Sequence, residues 1–301
     1  IIDKKTYKEK NVLVGGQIIR VHGSAVNYNI DGEMVVAGKS SGQFEIKGHG
    51  ELNIPLFGDT AQVAINAYVK YMMPSFYFRQ YHSKHAWWDN STNKELRQRI
   101  EGIVSLPKTG TRLAVGVENI KNYCYFINNG ISKTSEEGTT VSNNIAPVQC
   151  SENVQVINAN LKQNFKLGIF HWENDLTYQT CSHKDVLPLP ALSVYTNLFI
   201  RFKIAQVLKT ELGADMKYFT EYEAPDYSPV MNTFMNQNAG KKVLIGNYPL
   251  ISLYANFDLK RTRFYIMYHH ANQSDGRYFW GPGYPMNPTS MRFGISWNFY
   301  D

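Results

Sequence analysis

The segment Arg292-Phe293-Gly294-Ile295-Ser296-Trp297-Asn298-Phe299-Tyr300 alternates apolar and polar residues without a break. Side chains of an extended strand point alternately to opposite faces. Phe293, Ile295, Trp297 and Phe299 therefore share one face, and Arg292, Gly294, Ser296 and Asn298 the other. A single strand of this kind is common in soluble sheets. When the pattern recurs through most of a chain, with a broad apolar row and a charged polar row, lipid is the solvent that suits the first and water the second.

The pattern does recur. Phe44, Ile46, Gly48, Gly50, Leu52, Ile54 and Leu56 alternate with Gln43, Glu45, Lys47, His49, Glu51 and Asn53. After a turn at Gly58-Asp59, a second strand sets Ala61, Val63, Ile65, Ala67, Val69 and Tyr71 against Gln62, Asn66, Tyr68 and Lys70. Further strands are expected over residues 96–106, 113–117, 157–167, 172–178, 192–204, 212–218, 251–259 and 264–268, with weaker patterns over 11–21 and 26–36. With the terminal strand this makes about thirteen, whereas single-chain bacterial barrels close with an even number. At least one more strand is therefore expected, either before Ile1 or within roughly the first forty residues.

Connections fall into two alternating kinds. Short turns lie near Gly58, Thr109, Gly168, Lys209 and Arg261, and between them come loops over 73–93, 119–153, 181–190, 221–247 and 270–290. A compact soluble domain seldom carries so many long loops, whereas a barrel gathers them at its outer mouth and keeps its short turns periplasmic. On that parity the last strand descends and leaves Asp301 in the periplasm.

Composition is compatible with this. Of 301 residues, 43% are hydrophobic and 19% charged, as in many soluble enzymes but also as in a barrel, half of whose strand residues face water. The 20 Tyr and 16 Phe suit the interfacial girdles of a barrel, although an aromatic-rich β-sandwich would carry them too. No apolar run approaches the roughly 18–20 residues of a spanning helix, so any crossing is made by strands. The net charge of +6 comes from interspersed charges with no basic block, so nucleic acid is not an expected partner. The opening Ile1-Ile2-Asp3-Lys4-Lys5 has neither an initiator Met nor a signal peptide, and a processed or truncated protein is expected. Cys124, Cys150 and Cys181 are too few and too far apart for a zinc site or a disulfide framework, and leave room for one bridge between loops.

Catalytic motifs are missing: there is no G-x-S-x-G elbow, P-loop, dinucleotide fingerprint or paired-Cys metal motif. His82-Ser83-Lys84-His85 lacks the helical frame that fixes a metal-binding histidine pair. Ser193, Ser252 and Ser296 have polar strand neighbours but nothing local that activates a hydroxyl. No enzyme activity, cofactor or metal is expected. The polar row carries the functional content, and it nominates Glu45, Lys47, Glu51, Arg97, Arg99, Glu101, Lys162, Lys166, Glu173, Asp175, Arg201, Lys203, Asp215, Lys217, Asp258 and Lys260 as pore-lining. Charges of both signs around a wet interior create a field that orients polar solutes; the alternative for each residue is a cross-strand pair.

The second half carries the short motifs Asp175-Leu176-Thr177-Tyr178-Gln179, Asp185-Val186-Leu187-Pro188-Leu189-Pro190, Gly213-Ala214-Asp215, Tyr222-Glu223-Ala224-Pro225-Asp226-Tyr227, Ile245-Gly246-Asn247-Tyr248-Pro249, Leu259-Lys260-Arg261-Thr262-Arg263-Phe264 and Tyr284-Pro285-Met286-Asn287-Pro288. With the terminal strand, they resemble the putative porin family of Bacteroidetes outer membranes, from about residue 170 onward. Arg292, Gly294, Trp297 and Phe299 also resemble the C-terminal signal read by the barrel assembly machinery, here followed by Tyr300-Asp301.

The expectation is a single domain over residues 1–301, all-β, folded as a transmembrane antiparallel up-and-down barrel of about 14 or more strands with long extracellular loops. The resemblance implies a passive channel for small polar solutes in the outer membrane of a Gram-negative cell. Its partners would be membrane lipid and lipopolysaccharide, and the barrel assembly machinery during biogenesis. The alternatives are a barrel that anchors a surface lipoprotein or outer-membrane complex through its aromatic loops, and a soluble module of stacked sheets.

Overall fold

The computed structural model describes residues 6–21, 26–56, 58–136, 138–274, 276 and 278–299; Ile1, Tyr300 and Asp301 lie outside them. Thirteen strands form one antiparallel sheet in strict chain order. They are β1 (Asn11–Arg20), β2 (Val26–Gly38), β3 (Phe44–Leu56), β4 (Asp59–Met72), β5 (Glu95–Leu106), β6 (Thr111–Lys121), β7 (Asn153–Leu167), β8 (Phe170–Cys181), β9 (Leu192–Ile204), β10 (Leu208–Phe219), β11 (Leu250–Leu259), β12 (Thr262–His269) and β13 (Ser290–Trp297). Each pairs only with its neighbours in sequence, which is the up-and-down topology that the alternating pattern predicts. The only α-helix among the described residues is the single turn Phe76–Arg79, so no helix there can cross a membrane.

The register places the two rows where the sequence puts them. Ile46 lies opposite Val69, and Glu45 opposite Lys70; Leu198 lies opposite Ala214, and Arg201 opposite Glu211. The apolar row is not covered by a second sheet. Phe293 is 81% exposed, Ile295 64%, Ile100 59%, Leu198 55% and Ile65 53%. A sandwich hides such residues between its layers, so this exposure rules out the stacked-sheet reading for this sheet. Strands that cross a bilayer would place the same residues against hydrocarbon, which removes them from water.

The turns at one rim are short, among them Gly58 and residues 107–110, 168–169, 205–207 and 260–261. Ala205 and Gln206 have φ of 48° and 60°, the consecutive left-handed pair of a tight hairpin turn that follows strand twist. The turn therefore precedes Lys209, which lies within β10 instead of in the turn expected for it. Lys260, with φ 53°, occupies the β11–β12 turn, so it does not belong to the strand row assigned to it.

The opposite rim carries residues 73–94, 122–152, 182–191, 220–249 and 270–289. These contain short hairpins of their own: Gln80–His82 with Trp87–Asp89, Cys124–Asn128 with Ile145–Gln149, Ser132–Ser135 with Gly138–Val141, and Asp226–Ser228 with Thr233–Met235. Such patterned pieces pair with each other and not with the sheet. No fourteenth strand joins it among the described residues, and no closure was detected: β1 and β13 stand at its two ends. The thirteen strands match the count read from the pattern over this stretch, and the all-β, antiparallel up-and-down architecture expected of the chain is what the described residues form.

One of the two buried apolar clusters lies wholly in the loops. Ala86, Trp88, Phe126, Ile145 and Met235 pack together with Phe78, Tyr81 and Met231. Phe78 stacks on Phe126 at 4.5 Å, and the Trp88 indole N–H donates to the Tyr77 carbonyl. Three loops are thereby welded into one cap, and Asn236 adds the fourth by donating to the carbonyls of Asp185 and Val186. A second cluster joins Ile120, Val154 and Cys181 to Val186. Ile120, Val154 and Cys181 belong to the polar side of their strands by parity, so the 182–191 loop folds over that side at the rim.

Candidate functional site

The polar face of the sheet is where unlike side chains meet in number. Because neighbouring strands run antiparallel and in register, residues of one row lie directly opposite one another, close enough for ion pairs. Glu45 sits between Lys47 on its own strand, at 3.1 Å, and Lys70 across the β3–β4 pair, at 2.5 Å. Lys162 meets Asp175 at 3.0 Å, Arg201 meets Glu211 at 2.8 Å, and Asp258 lies 4.0 Å from Arg263.

The densest cluster spans β4 to β6. Arg97 contacts Glu95 and lies 3.6 Å from Glu118; Arg99 bonds Glu101 at 2.7 Å and lies 3.5 Å from Glu118. The Tyr68 hydroxyl donates to Glu118 at 2.8 Å, and the Asn66 amide donates to Glu101 at 3.2 Å while accepting from His49. Three carboxylates thus hold two guanidiniums. The carboxylates are 13–18% exposed and the guanidinium side chains 25–36%. Such half-buried, charge-assisted bonds are stronger than free surface pairs and stiffen the wall they belong to.

Every expected lining residue except Lys260 lies on the polar face by strand parity. The structure brings Glu45 to Lys47, Arg99 to Glu101, and Lys162 to Asp175, and pairs Arg97, Arg201 and Asp258 with residues outside the expected set. Glu51 lies 4.0 Å from His49. Lys166, Glu173, Lys203, Asp215 and Lys217 have no ion partner within 4 Å among the described residues. Glu118, Glu95, Lys70, Glu211 and Arg263 were missing from that set. Their signal was present: each continues the polar parity of a strand already recognised.

The polar face also holds a cavity of about 430 Å³ lined by Tyr195, Asn197, Glu211, Asp215, Tyr254, Asn256, Arg263, Tyr265 and Met267. Two glycines shape it. A Cβ on Gly213 would lie 2.7 Å from the Tyr254 ring, and one on Gly294 would lie 2.5 Å from the Tyr265 ring. Each tyrosine thus brings its ring over a glycine of the adjoining strand, where a Cβ would not fit. Gly294, assigned above to an assembly signal, has this local packing role as well; Trp297 and Phe299 are exposed on the apolar side.

His82 and the cysteines have structural surroundings. His82 bonds Asp89 at 2.7 Å and stacks on Trp87 at 3.8 Å, which locks a loop hairpin. All three cysteines are free thiols. Burial, with help from the nearby Glu95 carboxylate, pushes the Cys124 thiol up to about 12. At pH 8 it is then held as the thiol, whereas the thiolate is the nucleophile. Iodoacetamide is expected to modify Cys150, which is half-buried, and to spare Cys124 and Cys181 until the protein is denatured. Peptide mass spectrometry would read this, and modification of native Cys124 as fast as Cys150 would contradict it.

A family model described as "Putative porin" matches residues 2–301. A search of curated proteins returned no match. Among solved structures, a chain of the FpvAI–pyocin S2 complex superposes with a TM-score of 0.60 at 12% identity, over 96% of this chain and 39% of that one. The siderophore receptor PirA from Acinetobacter baumannii superposes with a TM-score of 0.56 at 9% identity, over 86% of this chain and 41% of the receptor. The likeness is one of fold, and the chain spans about two fifths of the length of these solved chains.

Proposed function

We propose that this chain, which belongs to the putative porin family of outer-membrane β proteins, lines a passive path for small polar solutes. The observation that carries this reading is the division of one sheet into an exposed apolar face and a charged polar face. Hydrocarbon accepts the first and offers no hydrogen bonds, so both edges of the sheet are paired when it lies in a membrane. Water accepts the second. No bond is made or broken in such transport, so no catalytic group or cofactor has a role in it.

Most charges on the polar face neutralise each other locally, which leaves a hydrated wall with a weak net field. Of the expected lining residues without an ion partner, Lys166, Lys203 and Lys217 oppose Glu173 and Asp215, an excess of one positive charge. Purified protein in planar bilayers is expected to give ohmic steps, with reversal potentials in a KCl gradient showing slight anion preference. A barrel that inserts and stays silent would remove the proposal.

The loop cap favours a second reading, attachment of a protein partner. Ile131 is 71% exposed, Phe234 65%, Trp87 61% and Tyr77 59%, more apolar surface than loops facing water ordinarily carry. Crosslinking on intact cells followed by mild detergent extraction would test it, and a chain that always runs alone would exclude it.

A further inference from the structure

Tyr254 and Tyr265 share one packing arrangement on the polar face. Each ring covers a glycine of the adjoining strand, Gly213 on β10 and Gly294 on β13, in the direct register pairs Gly213–Tyr254 and Tyr265–Gly294. Tyr254 reaches over β10 and Tyr265 over β13, so the two rings diverge from the β11–β12 pair and stand at opposite sides of the cavity that both line. The Tyr254 hydroxyl is also tied to Asn197 Oδ1 at 2.9 Å, which fixes the ring in plane. Tyr254 lies opposite Met267, so Tyr265 is its diagonal neighbour, about 7–8 Å away between Cα atoms.

The polar groups around these rings are close to charge balance. Glu211 receives two bonds from Arg201, at 3.0 and 2.8 Å, and one from Asn256 at 3.2 Å. Arg263 faces Asp258. Asp215 has no ion partner within 4 Å among the described residues, but Lys217 follows it on the same face. An ion entering this cavity would find little net charge to hold it. A neutral molecule with apolar faces and hydroxylated edges would find aromatic faces to lie on and carboxylate, amide and guanidinium groups to bond. Pyranose rings have this construction.

We infer that the cavity is a subsite for neutral oligosaccharides, with sugar rings stacked on Tyr254 and Tyr265 and hydroxyls bonded to Asp215 and Asn256. This deepens the proposed solute path and rests on it for physiological meaning, but binding can be measured without transport. Titration calorimetry of the purified chain in detergent, with maltotriose, cellotriose and xylotriose as probes, is expected to show saturable binding of at least one. Tyr254→Ala and Tyr265→Ala should each weaken that binding tenfold or more, while Gly48→Ala, on the apolar face, leaves it unchanged. Heat-modifiable mobility on gels checks folding; should a tyrosine variant fail that check, Met267→Trp, which fills the cavity and keeps both rings, should abolish binding. The inference is overturned if none of the three sugars binds saturably, if the variants bind as the parent does, or if spermidine binds and the sugars do not. A chain that conducts in bilayers without binding sugar refutes the subsite alone. One that binds sugar and never conducts refutes the path alone.

Discussion

Gly213→Ala is expected to lower the stability of the folded sheet by about 2–3 kcal/mol, the upper part of the range for overpacking. The added methyl would lie 2.7 Å from the Tyr254 ring and 2.7 Å from Phe199 Cβ. The first neighbour is the end of a side chain and can swing away, losing its bond to Asn197. The second cannot. Phe199 is 3% exposed, with its ring stacked on His171 at 4.8 Å, and its Cβ moves only if strands β9 and β10 part. Gly294→Ala meets only the outer atoms of Tyr265, so it should cost less, and Tyr265→Ala in the same chain should restore what is lost. Gly48→Ala is the control, since nothing lies within 4 Å of its Cβ. Thermal loss of the compact gel species, measured across the four variants, would rank them. Equal behaviour of Gly213→Ala and Gly48→Ala would show that the ring-over-glycine contact has no structural weight.

That contact was not visible in the sequence, and the reason is physical. A two-residue period can be read from one strand alone, because it follows from backbone geometry; so the two faces, most strands and the short-turn, long-loop alternation were legible. Which residue of β11 lies beside Gly213 depends on register, which is fixed jointly by turns at both ends. The β9–β10 turn used Ala205 and Gln206 in left-handed conformation, with no Gly or Asn to mark it, and the strand start was placed late as a result. β6 was ended early for a different reason. Beyond Val117 the polar parity is taken up by Ile120, 3% exposed, because at that rim the face is covered by the loop cluster and not by water. An alternation that inverts under a loop reads as its end, and Glu118, the centre of the cluster, was left outside the expected set.

Glu118 is therefore where a single substitution should change both stability and selectivity. Glu118→Ala removes the acceptor of the Tyr68 hydroxyl and one of the two carboxylates near each of Arg97 and Arg99. Hydrogen bonds to charged groups contribute about 1.5–3 kcal/mol when well formed, and the partial exposure of both arginines places the expected loss toward about 1–2 kcal/mol. Locally the cluster goes from three carboxylates against two guanidiniums to two against two, so the wall loses its excess negative charge there. Reversal potentials in a KCl gradient should then move toward anions. Glu118→Gln separates the two effects, because its amide oxygen still accepts from Tyr68 while the charge is gone. It should reproduce the shift in reversal potential with a smaller loss of stability. If Glu118→Gln is as unstable as Glu118→Ala, the Tyr68 bond contributes nothing and the ion pairs alone hold the cluster. If neither variant moves the reversal potential, permeating ions do not pass this part of the polar face, and the path lies elsewhere along the sheet.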